Sequence, residues 1–400
     1  MPDRERVAER LDALWEIAHG PGGGADRPPF SAAEAQAMRL VAGWAAQAGL
    51  RAALDQHGNL WALPPGWDGP LVTSGSHVDT VPDGGRYDGA LGTVMGLELA
   101  HELREGTASG ARPGLLVCVA EEAPRFVAGT IGSRLLAGTL DEAAFAELRD
   151  ADGVSAALAR EAYLEELAEL PRIAPPLERL RAHAEIHIAQ RRSLQTLGVV
   201  ERVAAPHRSA LELTGEPGHA GEVPMAERHD ALAAAAEVVL AVERATLPEP
   251  PETVATVGWL EVEPGVVSVI PAVARLQLEV RGVDTASLER VDDAWRTAVA
   301  EVGARRGVAV RVESLRGGDP VTLHPGLVRE ALAAARRRAI ALEPTWSGAG
   351  HDAQHLAALA PTLLLFVPMS GGESHTPFEQ ARPGDIERAG LLARDVLAQH

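Results

Sequence analysis

Lysine is absent from this chain of 400 residues: all 37 of its basic residues are arginine. That excludes Schiff-base chemistry on a lysine, and equally a phosphate loop of the kind whose lysine grips a nucleotide. There is one cysteine, Cys118, so no internal disulfide can form. It lies inside the apolar run "GLLVCVA" and reads as a small buried hydrophobe rather than a nucleophile. Aromatics are scarce, at 4%, and the seven tryptophans read as core or interface rather than as a stacking platform. No run reaches the ~18 apolar residues that a membrane span needs. Positive charge is also in deficit: the formal net charge is −19, which disfavours nucleic acid and anionic membrane as partners. The opening "MPDRERVAERLDALWEIA" carries charges at helical spacing and no apolar core of the secretory kind. A cytoplasmic protein is expected.

Hydrophobic residues make up 46% of the chain, ample for a packed core. At about 100–200 residues per domain, two or three domains are expected. The first part alternates between helical and strand patterns. "SAAEAQAMRLVAGWAAQAG" opens on Ser31 as an N-cap, with Glu34 three residues on as a capping-box acid, and ends at a glycine. "GPLVTSGSH", "GLLVCVAEE", "AEIHIAQ" and, near the end, "APTLLLFVPMS" read as short apolar strands between helices, the mark of a buried, mostly parallel sheet. The middle changes character. "HRSALELTGEPG", "ALAAAAEVVLAVERA", "ETVATVGWLEVEPGVVSVIP", "ARLQLEVRGVD", "ASLERVDDAWRTAVAEVGARRG" and "VAVRVESLR" give the order β-α-β-β-α-β of a ferredoxin-like α+β unit. The expectation is an α/β domain over 1–203 and 315–400, with a second domain at 204–314 inserted into it.

Ligands of open α/β sheets collect beyond the carboxyl ends of the strands. Four polar clusters fall at such ends: His77 and Asp79 with Asp88 further round "GSHVDTVPDGGRYDGALG", then Glu121 and Glu122, then His187, then His375. Singly, each could be an ordinary surface histidine, a solvated acidic pair or a polar turn. Together they offer the histidines and carboxylates of a two-metal hydrolytic centre.

The ordered segments "QHGNLWA", "GSHVDTVPDGGRYDGALG", "AEEAPRF", "GSRLLAG", "HIAQ", "GHAGEVPMAERHDA", "SGAGHDAQHLA" and "ESHTPFE" run nearly end to end. On them the chain resembles the hydantoinase/carbamoylase branch of the M20 metallopeptidase-like family, which includes N-carbamoyl-L-amino-acid hydrolases and allantoate amidohydrolases. The resemblance implies a metallopeptidase-like catalytic domain whose inserted domain is a lid and the seat of a homodimer. It implies two divalent metal ions, zinc first among them, with manganese, cobalt or nickel also able to occupy such ligands. Asp88 would bridge the pair. His77 and His187 would complete one site, Glu122 and His375 the other. Asp79 would hold the His77 ring, Glu121 would be the general base, and His219 would stabilise the oxyanion.

A small-molecule substrate with a carboxylate is implied, and here the chain departs from the family pattern. Gln190 and Arg281 match the carboxylate clamp, but its asparagine is Ser268, and "HIEQG" is replaced by "HIAQRR", with Ala189 and Arg191 at the changed positions. His351, in "SGAGHDAQ", falls in a loop that the family places against the substrate, where it either supports the site or belongs to a structural loop. The leading expectation is hydrolysis of the linear C–N bond of an N-carbamoyl or ureido amino acid. An N-acyl amino-acid hydrolase or dipeptidase of the same fold is the alternative, as is, in another class, a catalytically silent metal-binding scaffold. Arg191 or Arg192 offers a further cation for a substrate with a second acid, unless both are exposed arginines in an altered turn. In the first case Arg191→Gly shifts the ratio of rates on di-acidic and mono-acidic substrates toward the mono-acid. An unchanged ratio in a paired assay contradicts it.

Overall fold

The computed structural model describes residues 3–400, which divide into two compact units, 3–201 with 322–345 and 349–400, and 202–321 with 346–348. No helix among the described residues is long and apolar enough to cross a membrane.

The first unit begins with helices α1 (Arg4–Trp15) and α2 (Ala32–Gln47). The hydroxyl of Ser31 accepts the Glu34 amide at 3.1 Å, so α2 starts where its cap residue places it. Strands β1 (Arg51–Leu54), β2 (Leu60–Leu63) and β3 (Leu71–Ser74) follow, then α3 (Ala90–Glu102) and β4 (Arg112–Val117). Short helices α4 (Ile131–Leu136), α5 (Glu142–Glu147) and α6 (Ala156–Glu166) lead to β5 (Leu180–Ile188) and β6 (Leu197–Val203).

The second unit comprises β7 (Ala205–Thr214), β8 (Gly218–His219), α7 (Ala231–Thr246), β9 (Val254–Glu263), β10 (Val269–Ile270), β11 (Val273–Gly282), α8 (Thr285–Arg306) and β12 (Ala309–Arg316). Its four long strands form an antiparallel sheet in the order β12-β7-β11-β9. On β11 alternate residues are buried, the period-two pattern of a strand covered on one face. That face packs on α7 and α8 through Val238, Val242, Leu276, Val291 and the fully buried Trp295. Asp230 and Asp284 cap the two helices, and α8 stops at Gly307, whose φ of +63° is the left-handed close that glycine permits.

The chain then adds β13 (Val321–Thr322), α9 (Pro325–Arg338), β14 (Leu342–Ser347), α10 (Asp352–Leu356), β15 (Thr362–Val367) and α11 (Pro383–Leu397). The large sheet runs β1-β2-β4-β3-β5-β15-β6-β13, with β14 on β6. Its centre is parallel: β3 pairs with β4 and β5, and β15 with β5, while β1, β2 and β6 join antiparallel. Every residue of β3 and β15 is buried, as strands covered on both faces require. The fold is thus mixed α/β with a mostly parallel central sheet. Four adjacent parallel strands, β4, β3, β5 and β15, present their carboxyl ends side by side.

Depth in this sheet has a consequence for acid stability. His183, on β5, is buried beside Thr73, 3.0 Å from its hydroxyl, and burial lowers its pKa to about 3. In the unfolded chain an ordinary histidine takes its proton near 6.5. Between the two values only the unfolded state binds that proton, so stability is present above pH 6.5 and is lost as pH falls toward 3. Unfolding free energy should therefore fall with pH in that window, and His183→Gln should flatten the slope by up to about 1.4 kcal/mol per pH unit. Denaturant titrations at pH 6 and pH 4.5 check this, and equal slopes contradict it.

Candidate metal centre

The four strand ends deliver the side chains one by one. The chain beyond β3 continues alongside that beyond β4 through a bridge between His77 and Cys118. His77 therefore follows β3, Glu121 and Glu122 follow β4, His187 lies on β5, and His375 follows β15. Asp88 comes from the loop between β3 and α3. Gly89 comes next, with φ +64°, and a Cβ there would overlap the His77 imidazole. Only glycine lets α3 begin that close to the ring.

Asp88 is the centre of the cluster. Its Oδ1 lies 3.1 Å from His187 Nε2 and 3.6 Å from His77 Nε2. Its Oδ2 lies 3.3 Å from His375 Nε2, which is 3.6 Å from Glu122 Oε1. Two three-residue sets thus share one carboxylate: His77, Asp88 and His187 on one side, Asp88, Glu122 and His375 on the other, each with ligand atoms within 4.8 Å of one another. A third set, Glu185, His187 and His351, meets the same spacing. There, however, the Glu185 carboxylate already accepts from Ser76 Oγ at 2.7 Å and from the Ala353 amide at 2.9 Å.

The surrounding hydrogen bonds orient these candidate ligands. His77 Nδ1 faces the Asp79 carbonyl at 3.1 Å and its carboxylate at 3.4 Å. His187 Nδ1 is 3.1 Å from the Ile188 carbonyl. Both rings therefore turn Nε2 toward Asp88. The Asp79 carboxylate also accepts the amides of Glu121 at 3.1 Å and Glu122 at 2.8 Å, fixing the acidic pair by its backbone. Just before them, Ala120 has φ +56° and gives its amide to Glu34 at 2.9 Å. Glu34 was expected to close a capping box on Ser31. Its second oxygen instead accepts from Phe30, at 2.5 Å, so one carboxylate ties the head of α2 to the loop that carries Glu121.

The electrostatics describe a site primed for cations. Burial raises Asp88, but His187, His375 and His77 outweigh it and hold its pKa well below the usual carboxylate range. Burial lowers His77, but Glu121, Asp79 and Asp88 more than compensate and raise it well above an ordinary histidine. His375 rises to about 9, chiefly through its hydrogen bond to Asp88. Burial, then the charge of Asp88, pushes Glu122 to about 7. Burial also pushes Glu121 well above the carboxylate range; its Oε2 is 3.8 Å from His77 Nε2. His77 Nε2 and Asp88 Oδ1 are buried without a well-formed hydrogen bond. Orphaned donor atoms, imidazoles aimed at a shared carboxylate and acids crowded out of water fit a pair of divalent cations, which would satisfy the atoms and neutralise the repulsion.

Gln190 Nε2 lies 3.4 Å from Asp88 Oδ2 and 3.3 Å from His375 Nε2, against the cluster. His351 is buried with its ring 4.5 Å from that of His187 and 5.4 Å from Phe366, and burial keeps it neutral, well below pH 6.5. Ala189 is buried, Arg191 bonds the Thr345 hydroxyl, and Arg192 is exposed. Three candidates lie in the second unit. His219 pairs with Val269 in the β8–β10 ladder and its Nδ1 accepts the Gly221 amide at 3.0 Å. Ser268 is exposed, and its carbonyl accepts the Ala220 amide at 3.0 Å. Arg281 is held by Glu279 at 2.8 Å and by the Gly348 carbonyl at 2.8 Å.

Sequence reading missed Glu379. It is buried, and its carboxylate accepts the amides of Tyr87, Asp88 and His375. It stands in "ESHTPFE", four residues after His375, and that fixed offset from a ligand was the available signal. Asp352, hydrogen-bonded to Ser133 at 2.6 Å, was likewise unassigned.

The profile of peptidase family M20/M25/M40 matches residues 73–399 of this chain. An N-carbamoyl-L-amino acid amidohydrolase of Geobacillus stearothermophilus is 35% identical over 390 residues, covering 95% of this chain and 94% of that protein. A ureidoglycolate hydrolase of Arabidopsis thaliana is 31% identical over 417 residues, covering 99% and 86%. Among solved structures, an amidase of the hydantoinase/carbamoylase family from Burkholderia multivorans superposes with a TM-score of 0.87 at 31% identity, over 100% of this chain and 98% of that one.

Cation uptake at this cluster should release protons, because the ligands bind only when deprotonated. With His375 holding its proton up to about 9 and Glu122 up to about 7, affinity should rise steeply as pH increases from 6 to 8. Calorimetric titration of zinc in two buffers of different ionisation enthalpy should show at least about one proton released per chain at pH 7. A binding enthalpy independent of the buffer contradicts this.

Proposed function

We propose that this chain, which belongs to peptidase family M20/M25/M40 and to its hydantoinase/carbamoylase branch, hydrolyses the linear C–N bond of an N-carbamoyl or ureido amino acid, with two divalent cations as cofactor. The observation that carries the proposal is the division of Asp88 between two ligand sets, with Glu121 beside them. The names of the relatives supply the substrate class. His77, His187 and Asp88 would hold one cation, and Asp88, Glu122 and His375 the other, with zinc the first candidate. Such a pair supplies a water acidic near pH 7 and a polarised carbonyl.

The chain's own residues do the rest. Glu121, beside the two ligand sets with its Oε2 3.8 Å from His77 Nε2, takes a proton from the attacking water. The water oxygen bonds to the carbonyl carbon, and Glu121 returns the proton to the nitrogen as the C–N bond breaks. Asp79 keeps both His77 and the Glu121–Glu122 backbone in place. His219 is the donor we assign to the oxyanion, and loss of such a donor typically costs about 3–4 kcal/mol of barrier lowering. Gln190 and Arg281, the latter with a fork that fits a carboxylate, would anchor the substrate acid, with Ser268 in the altered position. His351, with its ring 4.5 Å from that of His187, would be a further substrate contact.

We assign the second unit to a lid and to a homodimer contact. Its sheet ends on β9, which among the described residues pairs only with β11 and leaves its other edge open, with Val254, Trp259 and Leu260 exposed on it, and an apolar open edge invites a second copy.

Ala189 and Ser268 also suit a reading in which the acid is gripped differently and an N-acyl amino acid is cleaved. A substrate panel on the zinc-reconstituted protein separates the two: ammonia from N-carbamoyl amino acids supports the first, carboxylic acid from N-acyl amino acids the second. Glu121→Gln should lower turnover by at least about 100-fold, as loss of a positioned acid–base does, while metal content stays at the wild-type level. Turnover that survives the substitution contradicts the assigned role.

A further inference from the structure

Glu379 takes no part in the reaction just described, yet its carboxylate joins three backbone amides from two distant segments. Oε2 accepts from Tyr87 at 2.9 Å and from Asp88 at 3.2 Å; Oε1 accepts from His375 at 3.1 Å. The chain has cleared room for it. A Cβ on Gly85 would coincide with the Glu379 carboxyl group, so the glycine is where the acid sits. We propose that Glu379 is a positioning residue that sets the second cation subsite, by holding His375 in register with the shared Asp88. This rests on the two-cation reading above.

The two subsites are supported unequally. His77 and His187 are buried, and each ring is fixed by a backbone carbonyl at 3.1 Å. His375 has a side chain 46% exposed and a backbone at φ +57°, a region that a non-glycine residue keeps only when its surroundings enforce it. Glu379 provides that enforcement through the His375 amide, and the same carboxylate grips the amide of Asp88, whose Oδ2 faces His375. Removing the carboxylate frees the histidine side of the pair. The other side keeps its own carbonyl anchors, along with Asp88 Oδ1 and its 3.1 Å approach to His187. The loss should therefore be selective.

The test is metal content after dialysis and competitive titration with a zinc chelator, on the full chain reconstituted with zinc. The wild type should hold two ions per chain. Glu379→Gln, which turns one acceptor into a donor, should hold one tightly, with the second weakened by about 10–100-fold. Gly85→Ala should reproduce the loss by pushing the carboxyl group aside without removing it, and it decides the matter if Glu379→Gln does not fold. Two ions at wild-type affinity in either folded variant overturn the proposal. So does equal weakening of both ions, which is what a strut of general stability would give. A wild type that takes up fewer than two ions overturns instead the two-cation reading on which the proposal stands.

Discussion

One carboxylate shared by two sets of candidate ligands is the constraint around which the first unit is organised. Asp88 can face His77 and His187 with one oxygen and His375 with the other only if its own backbone is held between the ends of β3, β5 and β15. The parallel centre of the sheet supplies that arrangement, because parallel neighbours end on the same side. The crossover between β3 and β4 runs through α3, which begins at the glycine beside Asp88. An antiparallel pairing at the same place would send alternate ligands to opposite edges.

Around that carboxylate the protein uses buried acids as acceptors for loop amides. Glu34 takes Ala120, Asp79 takes Glu121 and Glu122, Glu185 takes Ala353, and Glu379 takes Tyr87, Asp88 and His375. A buried carboxylate is costly unless its oxygens are satisfied, and a loop beyond a strand end has amides that the sheet no longer engages. Each need answers the other. The outcome is a rigid rim made of loops, with side chains placed by backbone rather than by packing alone. The acids left facing inward, Asp88, Glu121 and Glu122, are the ones that cations and a proton would occupy.

The strands and the polar clusters near their ends were legible in the sequence because each signal is local, whereas the choice of five metal-ligand candidates among those residues came from the resemblance to the family. An apolar run marks a buried strand, and a histidine or acid directly after it marks the rim. The β-α-β-β-α-β order of the second unit was legible for the same reason. Long-range roles were not. Glu34 looks like a cap residue because it stands three positions after Ser31, and nothing near it in the chain points to Ala120, 86 positions away. Glu379 and Glu185 act on amides far along the chain, so their roles exist only once the fold does. Arg191 reads as one of two neighbouring cations in "QRR", and its bond to the Thr345 hydroxyl exists only once the fold does. Short pieces such as β8, β10 and β13 are too brief to leave a periodicity.

The proposed chemistry requires that Asp88 lie between two cations. Anomalous diffraction from crystals of the zinc-reconstituted protein tests this directly. The account predicts two peaks, one between Asp88 Oδ1 and the His77–His187 pair, the other between Asp88 Oδ2 and the Glu122–His375 pair. A single peak, or two peaks of which either lies away from Asp88, would contradict it.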